Sequence, residues 1–391
     1  MSRSSIVATT GLRPSWLEVD LDAARANLAL VRTLVGRERT LFAVVKADGY
    51  GFGAAAMGRA FLEAGADALA VADAGEGVRL RESGIVAPIL VYPSGVPEAI
   101  AETIAHRLTP TVTTLEGACA VAAAAPAAGD GAYVKVDVGL ERLGVPAEGA
   151  AKLIHAMLEL PRFRLAGVCA HPHAPAGADP AYVDWQLGRF TAVLDELAAA
   201  GIDVPVRLLA STPLVLRFPH TYLNAVDPGR MLYGIAFEGD GPRGVALRPA
   251  LRALKSRLIE VKPLAARERF AEQGPFPLSA SMRLGVIPLG AADGLLHLHA
   301  GRVLVRGRSA PILGGPSLEH TRVDLTGVPD ARVGDEVVVI GRQADAEIAL
   351  AEVAAHQKIA AHVLPTLLGP RVERVWLPAP VQTPAGGDAG A

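Results

Sequence analysis

Between residues 41 and about 235 the hydrophobic pattern repeats one phrase. A short β-branched run ends in polar or glycine residues, and an alanine-rich helical segment follows. The runs are "LFAVVKADG", "ALAVADAG", "PILVYPSG", "TPTVTT", "AYVKVDVG", "LAGVCAHPH", "VRLLAST" and "NAVDPGRMLYG". Helical patterns such as "GAAAMGRAFLEAG", "AAKLIHAMLEL" and "WQLGRFTAVLDELAAAG" lie between them. Eight strand–helix units at a spacing of roughly 25 residues predict an α/β fold, a (β/α)8 TIM barrel.

After about residue 245 the pattern changes. "SRLIEVKPL", "RLGVIPLG", "GRVLVRGRSAPIL", "HTRVDLTG" and "DEVVVIG" are short strands with glycine turns between them, which predicts a C-terminal, mostly antiparallel β domain. Near the start, "WLEVDLDAARANLALVRTLVG" reads as a strand followed by an amphipathic helix, with Asp20 or Asp22 as its cap. The expected organisation is a flexible tail over 1–14, a barrel over 15–245, a β domain over 246–377 and a Pro/Gly/Ala-rich disordered tail over 378–391.

Composition narrows the function. Half of the 391 residues are hydrophobic, enough for a large core, and the formal charge of −2 gives no electrostatic case for nucleic acid or an acidic membrane. No run of about 20 apolar residues predicts a membrane span. The first residues lack the apolar core of a signal peptide. Cys119 and Cys169 sit in apolar contexts without metal spacing and are expected to be buried free thiols. Together these features agree with a reducing compartment and a cytoplasmic location.

A barrel carries its chemistry at the C-terminal ends of its strands. The polar residues there are Lys46, Asp73, Arg142, His171, His173, Ser211, Thr212 and Asp227. Lys46 ends an apolar strand, where an amine either snorkels to water or is held in a pocket for covalent work. The H-x-H pair of His171 and His173 is not by itself a metal site, and no metal is expected.

"AVVKADGYGFG" strongly resembles the cofactor-lysine motif of the alanine racemase family, fold-type III enzymes that use pyridoxal 5'-phosphate (PLP). "KVDVGLERLG", "AVDPGRMLYG", "GVIPLGAADG" and "VGDEVVVIG" look like further landmarks of that family in the same order. The resemblance covers about Trp16 to Trp376. It implies a PLP barrel with a C-terminal β domain, working as a head-to-tail homodimer with active sites at the subunit interface. Lys46 resembles the lysine that forms the Schiff base. Tyr50 and Thr212 match phosphate ligands, and Gly229 and Arg230 match positions whose backbone N–H groups face the phosphate. His171 resembles the histidine stacked on the pyridine ring. Arg142 matches the arginine that reaches the cofactor phenolate and the substrate carboxylate. Lys135 falls where some members carry a carbamylated lysine.

Four departures from the family pattern bear on function. Asp227 stands where the family has an arginine facing the pyridine nitrogen, and a carboxylate there favours a protonated ring; its other reading is a cap before Pro228. Glu272 falls where the tyrosine base of the partner subunit is expected, and two-base racemisation needs an acid/base on each face. Ala291 replaces a gate tyrosine, and Ser317 to His320, "SLEH", replaces a segment that helps bind substrate carboxylate. Phe52 also replaces a common histidine. The expected function is that of a PLP-dependent racemase of a small amino acid with an altered second base. A PLP-dependent lyase or decarboxylase and a non-catalytic PLP binder are the alternatives.

Overall fold

The computed structural model describes residues 13–93, 96–125, 131–235, 245–267 and 269–378. The chain divides into two compact units, 23–249 and the combination of 1–22 with 250–391.

The first strand, β1 (Ser15–Asp20), belongs to the second unit, although the sequence pattern assigns 15–245 to the barrel. The barrel itself contains β2 (Thr40–Val44), β3 (Ala68–Val71), β4 (Ile89–Val91), β5 (Thr109–Val112), β6 (Ala132–Asp137), β8 (Leu165–Cys169), β9 (Val206–Ala210) and β10 (Ala225–Val226), with the two-residue β7 (Val145–Pro146) beside β6. Each of these eight strands pairs in parallel with the next, and β10 returns to β2, closing the cylinder. All eight runs read from the sequence are therefore barrel strands.

The interior balances large and small side chains. Phe42 and Tyr133 meet edge to face at 6.1 Å, and Ala68, Ala70 and Ala225 leave room for them. Cys169 is buried in this layer, and burial pushes its thiol up to about 11. Cys119, expected to be buried, is exposed. Gly117, Ala118, Val121 and Ala122 form the inner stripe of helix Leu115–Ala124, so Cys119 points the other way.

The second unit contains β11 (Leu251–Arg257), β12 (Glu260–Leu264), β13 (Met282–Ile287), β14 (Arg302–Val305), β15 (Arg308–Pro311), β16 (Thr321–Asp324), β17 (Glu336–Gln343), β18 (Ala346–Ile348) and β19 (Glu373–Leu377). Its larger sheet runs β15-β14-β17-β11-β1-β19, with β18 on β17; its smaller runs β12-β13-β16. All pairings are antiparallel except β1 with β19. β1 lies here because both of its edges are taken by this sheet. Ser15 Oγ also meets Ser256 Oγ at 2.8 Å, and the Glu18 carboxylate meets Lys255 Nζ at 3.0 Å. The tails expected over 1–14 and 378–391 fall almost wholly outside the described residues. Among those residues no helix is long and apolar enough to cross a membrane.

Candidate active site

The end of β2 delivers Lys46 to the mouth of the barrel, and the chain then coils backwards. Ala47, Asp48, Gly49 and Tyr50 have φ of 54°, 51°, 62° and 54°. This left-handed turn disfavours L side chains. Glu76, in the first turn of helix Ala74–Glu82, holds it. Its buried carboxylate accepts from the N–H of Ala47 (2.6 Å), Asp48 (3.4 Å) and Ala72 (2.9 Å). Asp73, another polar residue of the rim, is occupied as the cap of the same helix, accepting from the Glu76 N–H.

Lys46 is half-buried, and burial lowers its proton affinity below the ordinary lysine value. Asp227 opposes this shift, while the charges of Arg142 and Lys135 reinforce it. The amine is therefore held in a pocket rather than snorkelling. His171 follows β8, and burial together with nearby Lys135, Lys46 and Arg142 depresses it to about 3, so its ring is neutral at physiological pH. The loop beyond it is fixed by buried Gln186, which bonds both the N–H and the C=O of His173.

Arg142 is exposed on the loop after β6. Burial would raise the Asp137 carboxyl, but bonds from the N–H groups of Gly139, Glu141, Leu140 and Arg142 outweigh it and hold Asp137 below the usual carboxylate range. That carboxylate shapes the loop on which Arg142 sits.

Tyr50, Thr212, Gly229 and Arg230 come together on the other side. A Cβ on Gly229 would stand only 2.3 Å from the Tyr50 hydroxyl, so the glycine makes room for the phenol. The Gly229 N–H, expected to face an anion, instead donates to Thr212 Oγ1 at 3.0 Å. With its oxygen accepting from Gly229, the Thr212 hydroxyl has its own proton left to donate. Burial raises the Tyr50 phenol far above its ordinary value, so it too remains a donor, and Arg230 is near enough to moderate that shift. Behind them Tyr233 bonds the Val44 carbonyl at 3.0 Å and packs on Tyr50, Phe52 and Phe61. Phe52, the histidine replacement, is fully buried in this aromatic wall.

Asp227 follows β10 and is not a helix cap. Its Oδ2 accepts from the Tyr92 hydroxyl at 2.6 Å, and its Oδ1 is buried with no hydrogen-bond partner among the described residues. Burial raises its carboxyl to about 6, against the lowering effects of Tyr92, Lys135 and Lys46. Lys46 Nζ and Lys135 Nζ lie 5.8 Å and 5.9 Å from the centre of the Tyr92 ring. Tyr92 and Glu76 escaped the sequence reading. Tyr92 directly follows β4, so the rule that exposes the other rim residues would also have found it.

The remaining candidates lie in the second unit. Glu272 is exposed in the loop between β12 and β13. Ala291 opens a short 3-10 turn, and Ser317 closes a tight turn by accepting the His320 N–H at 3.0 Å. Glu319 and buried Asp293 both pair with Arg371, so the "SLEH" turn is bound into an ion-pair cluster.

The residues fit PLP on two independent features. The unpartnered Asp227 oxygen can accept from a protonated ring nitrogen, and the cleft around Gly229 offers hydroxyl donors and positive charge to a phosphate. A closed parallel barrel with this rim and a depressed lysine on its first strand defines a PLP-dependent barrel enzyme. Residues 19–236 match the family model described as alanine racemase, N-terminal domain, and 251–376 match alanine racemase, C-terminal domain. The alanine racemase of Desulfovibrio desulfuricans is 34% identical over 93% of this chain and 98% of its own. That of Desulfosudis oleivorans is 36% identical over 93% and 96%. The crystal structure of alanine racemase from E. faecalis superposes with a TM-score of 0.85 at 29% identity, over 95% of this chain and 100% of that one. The chain belongs to the alanine racemase family.

Proposed function

We propose that this protein is a PLP-dependent racemase of a small amino acid, with alanine, the substrate in its relatives' name, as the first candidate. The observation that carries this reading is the desolvated Lys46 amine facing Asp227, whose free oxygen complements a protonated ring nitrogen. When bound, PLP supplies an aldehyde that condenses with amines and a ring that draws electron density from the α-carbon. Lys46 Nζ, with lowered proton affinity, takes the α-proton on one face and returns it. Tyr50, Thr212 and Arg230 would hold the phosphate, and the neutral His171 ring would pack against the cofactor. Arg142 orients the substrate carboxylate through its planar fork. Lys135 would add a second positive charge to the cofactor pocket.

The opposite face needs its own proton carrier, and Glu272 of a second copy is the candidate. The enzyme then works as a homodimer whose site is completed across the interface, in the cytoplasm. The likeness to alanine racemases supports this reading over the lyase, the decarboxylase and the non-catalytic binder.

The test is to incubate protein reconstituted with PLP with L- or D-alanine in D2O and follow α-deuteration and products. A racemase gives both antipodes from either one. Lys46→Ala abolishes exchange, and Glu272→Gln slows exchange from one antipode more than from the other. Keto acid or CO2 as the main product, or no exchange at all, overturns the proposal.

A further inference from the structure

The pairing of Tyr92 with Asp227 has no part in the function described so far. Asp227 is an acid set deep in the barrel mouth, 5% exposed. Five groups from four places face it: Lys46 and Tyr50 after β2, Tyr92 after β4, Lys135 on β6 and Cys169 on β8. Among the described residues the Tyr92 hydroxyl is the one side chain that hydrogen-bonds it, and the other bond its carboxyl receives comes from its own backbone. The two lysines contribute charge, and both lie near the Tyr92 ring. A carboxylate can rotate about its last bond, so without a fixed donor either oxygen, or neither, would face the ligand. The 2.6 Å bond removes that freedom and leaves Oδ1 as the one oxygen still needing a partner.

We propose that Tyr92 is a positioning residue for the cofactor ring: by donating to one oxygen of Asp227, it keeps the carboxylate ionised and aims the other oxygen at the ring nitrogen. The proposal rests on the PLP reading for its ligand, but its physical core does not need the ligand. A phenol donor stabilises the charged form of the acid it bonds more than the neutral form. Removing the hydroxyl must therefore make Asp227 easier to protonate, and a protonated Asp227 cannot share a second proton with a pyridinium. The Tyr92 ring has a separate job beside the two lysines, which phenylalanine retains.

The test has an arm without cofactor and an arm with it. In cofactor-free protein carrying 13C-labelled aspartate, the Asp227 carboxyl signal, assigned with Asp227→Asn, is followed against pH. Tyr92→Phe moves its midpoint up by about one to two pH units, the loss expected for a hydrogen bond to a charged group. Site-specific fluorotyrosine at position 92, a stronger donor, moves it down, and it serves if the phenylalanine variant does not fold. With ring-15N-labelled PLP bound, the Tyr92→Phe nitrogen signal shifts from the pyridinium toward the neutral range, and the dissociation constant for PLP rises at pH 7.5. Midpoints within half a unit of each other in all three proteins overturn the proposal, as does an unchanged nitrogen signal in Tyr92→Phe. Borohydride reduction of the unsubstituted holoprotein tests the underlying reading separately. Failure to label Lys46 there removes PLP but leaves the cofactor-free titration to decide the Tyr92–Asp227 bond.

Discussion

Asp227 works against the fold that contains it. Burial raises its carboxyl from the ordinary 3.8 to about 6, so the folded chain binds that proton more tightly than the unfolded chain does. The resulting contribution to stability is fully present below about pH 4 and is lost as pH rises through about 6. Asp227→Asn removes this dependence. Urea denaturation of the cofactor-free variant should show a gain on the order of 2 kcal/mol over the unsubstituted protein at pH 8, closing toward pH 4. An equal difference at both pH values would show that Asp227 is not the group responsible. Folding alone would favour its amide, which fits the ligand role proposed for the acid. Its position was legible in the sequence, because it ends a barrel strand inside a recognisable motif. Its partner was not: Tyr92 lies 135 positions away, and only closure of the barrel brings β4 and β10 to a common mouth.

At the scale of elements, the turn after Lys46 is the most constrained segment of the site. The glycines of "ADGYG" suit a turn, but they do not dictate a left-handed one, since Ala47 and Tyr50 disfavour that conformation. The missing instruction is Glu76, 29 positions from Ala47 and invisible to any local pattern. Glu76→Ala strands buried N–H groups and should lower stability by about 3 kcal/mol, read by chemical denaturation, with Glu76→Gln losing less. If Glu76→Ala unfolds at the same denaturant concentration as the unsubstituted protein, the turn holds itself. Because the turn is tethered at two N–H groups and Glu76 is itself anchored to the Ala72 N–H, the peptide behind Lys46 acts as a fixed post, and the amine moves only by rotating its own four-carbon stem.

At the scale of the molecule, the eight βα units were readable because a closed barrel is built from neighbours in sequence. The placement of β1 was not readable, because an apolar strand at the chain start carries no label for its partners. Their choice depends on β11 and β19, far along the chain. Deleting residues 1–20 should leave two sheet edges bare and make the protein insoluble on expression, measured as the fraction recovered in the supernatant. Recovery equal to that of the full chain would show that β1 is dispensable. The same placement has a consequence for the order of synthesis. The barrel, contiguous from 23 to 249, can fold as the ribosome releases it, domain by domain. β1 emerges before any of it, yet its parallel partner β19 is made only after all of it. β1 must therefore wait unpaired while the whole barrel is made, and the β unit cannot close until β19 has emerged.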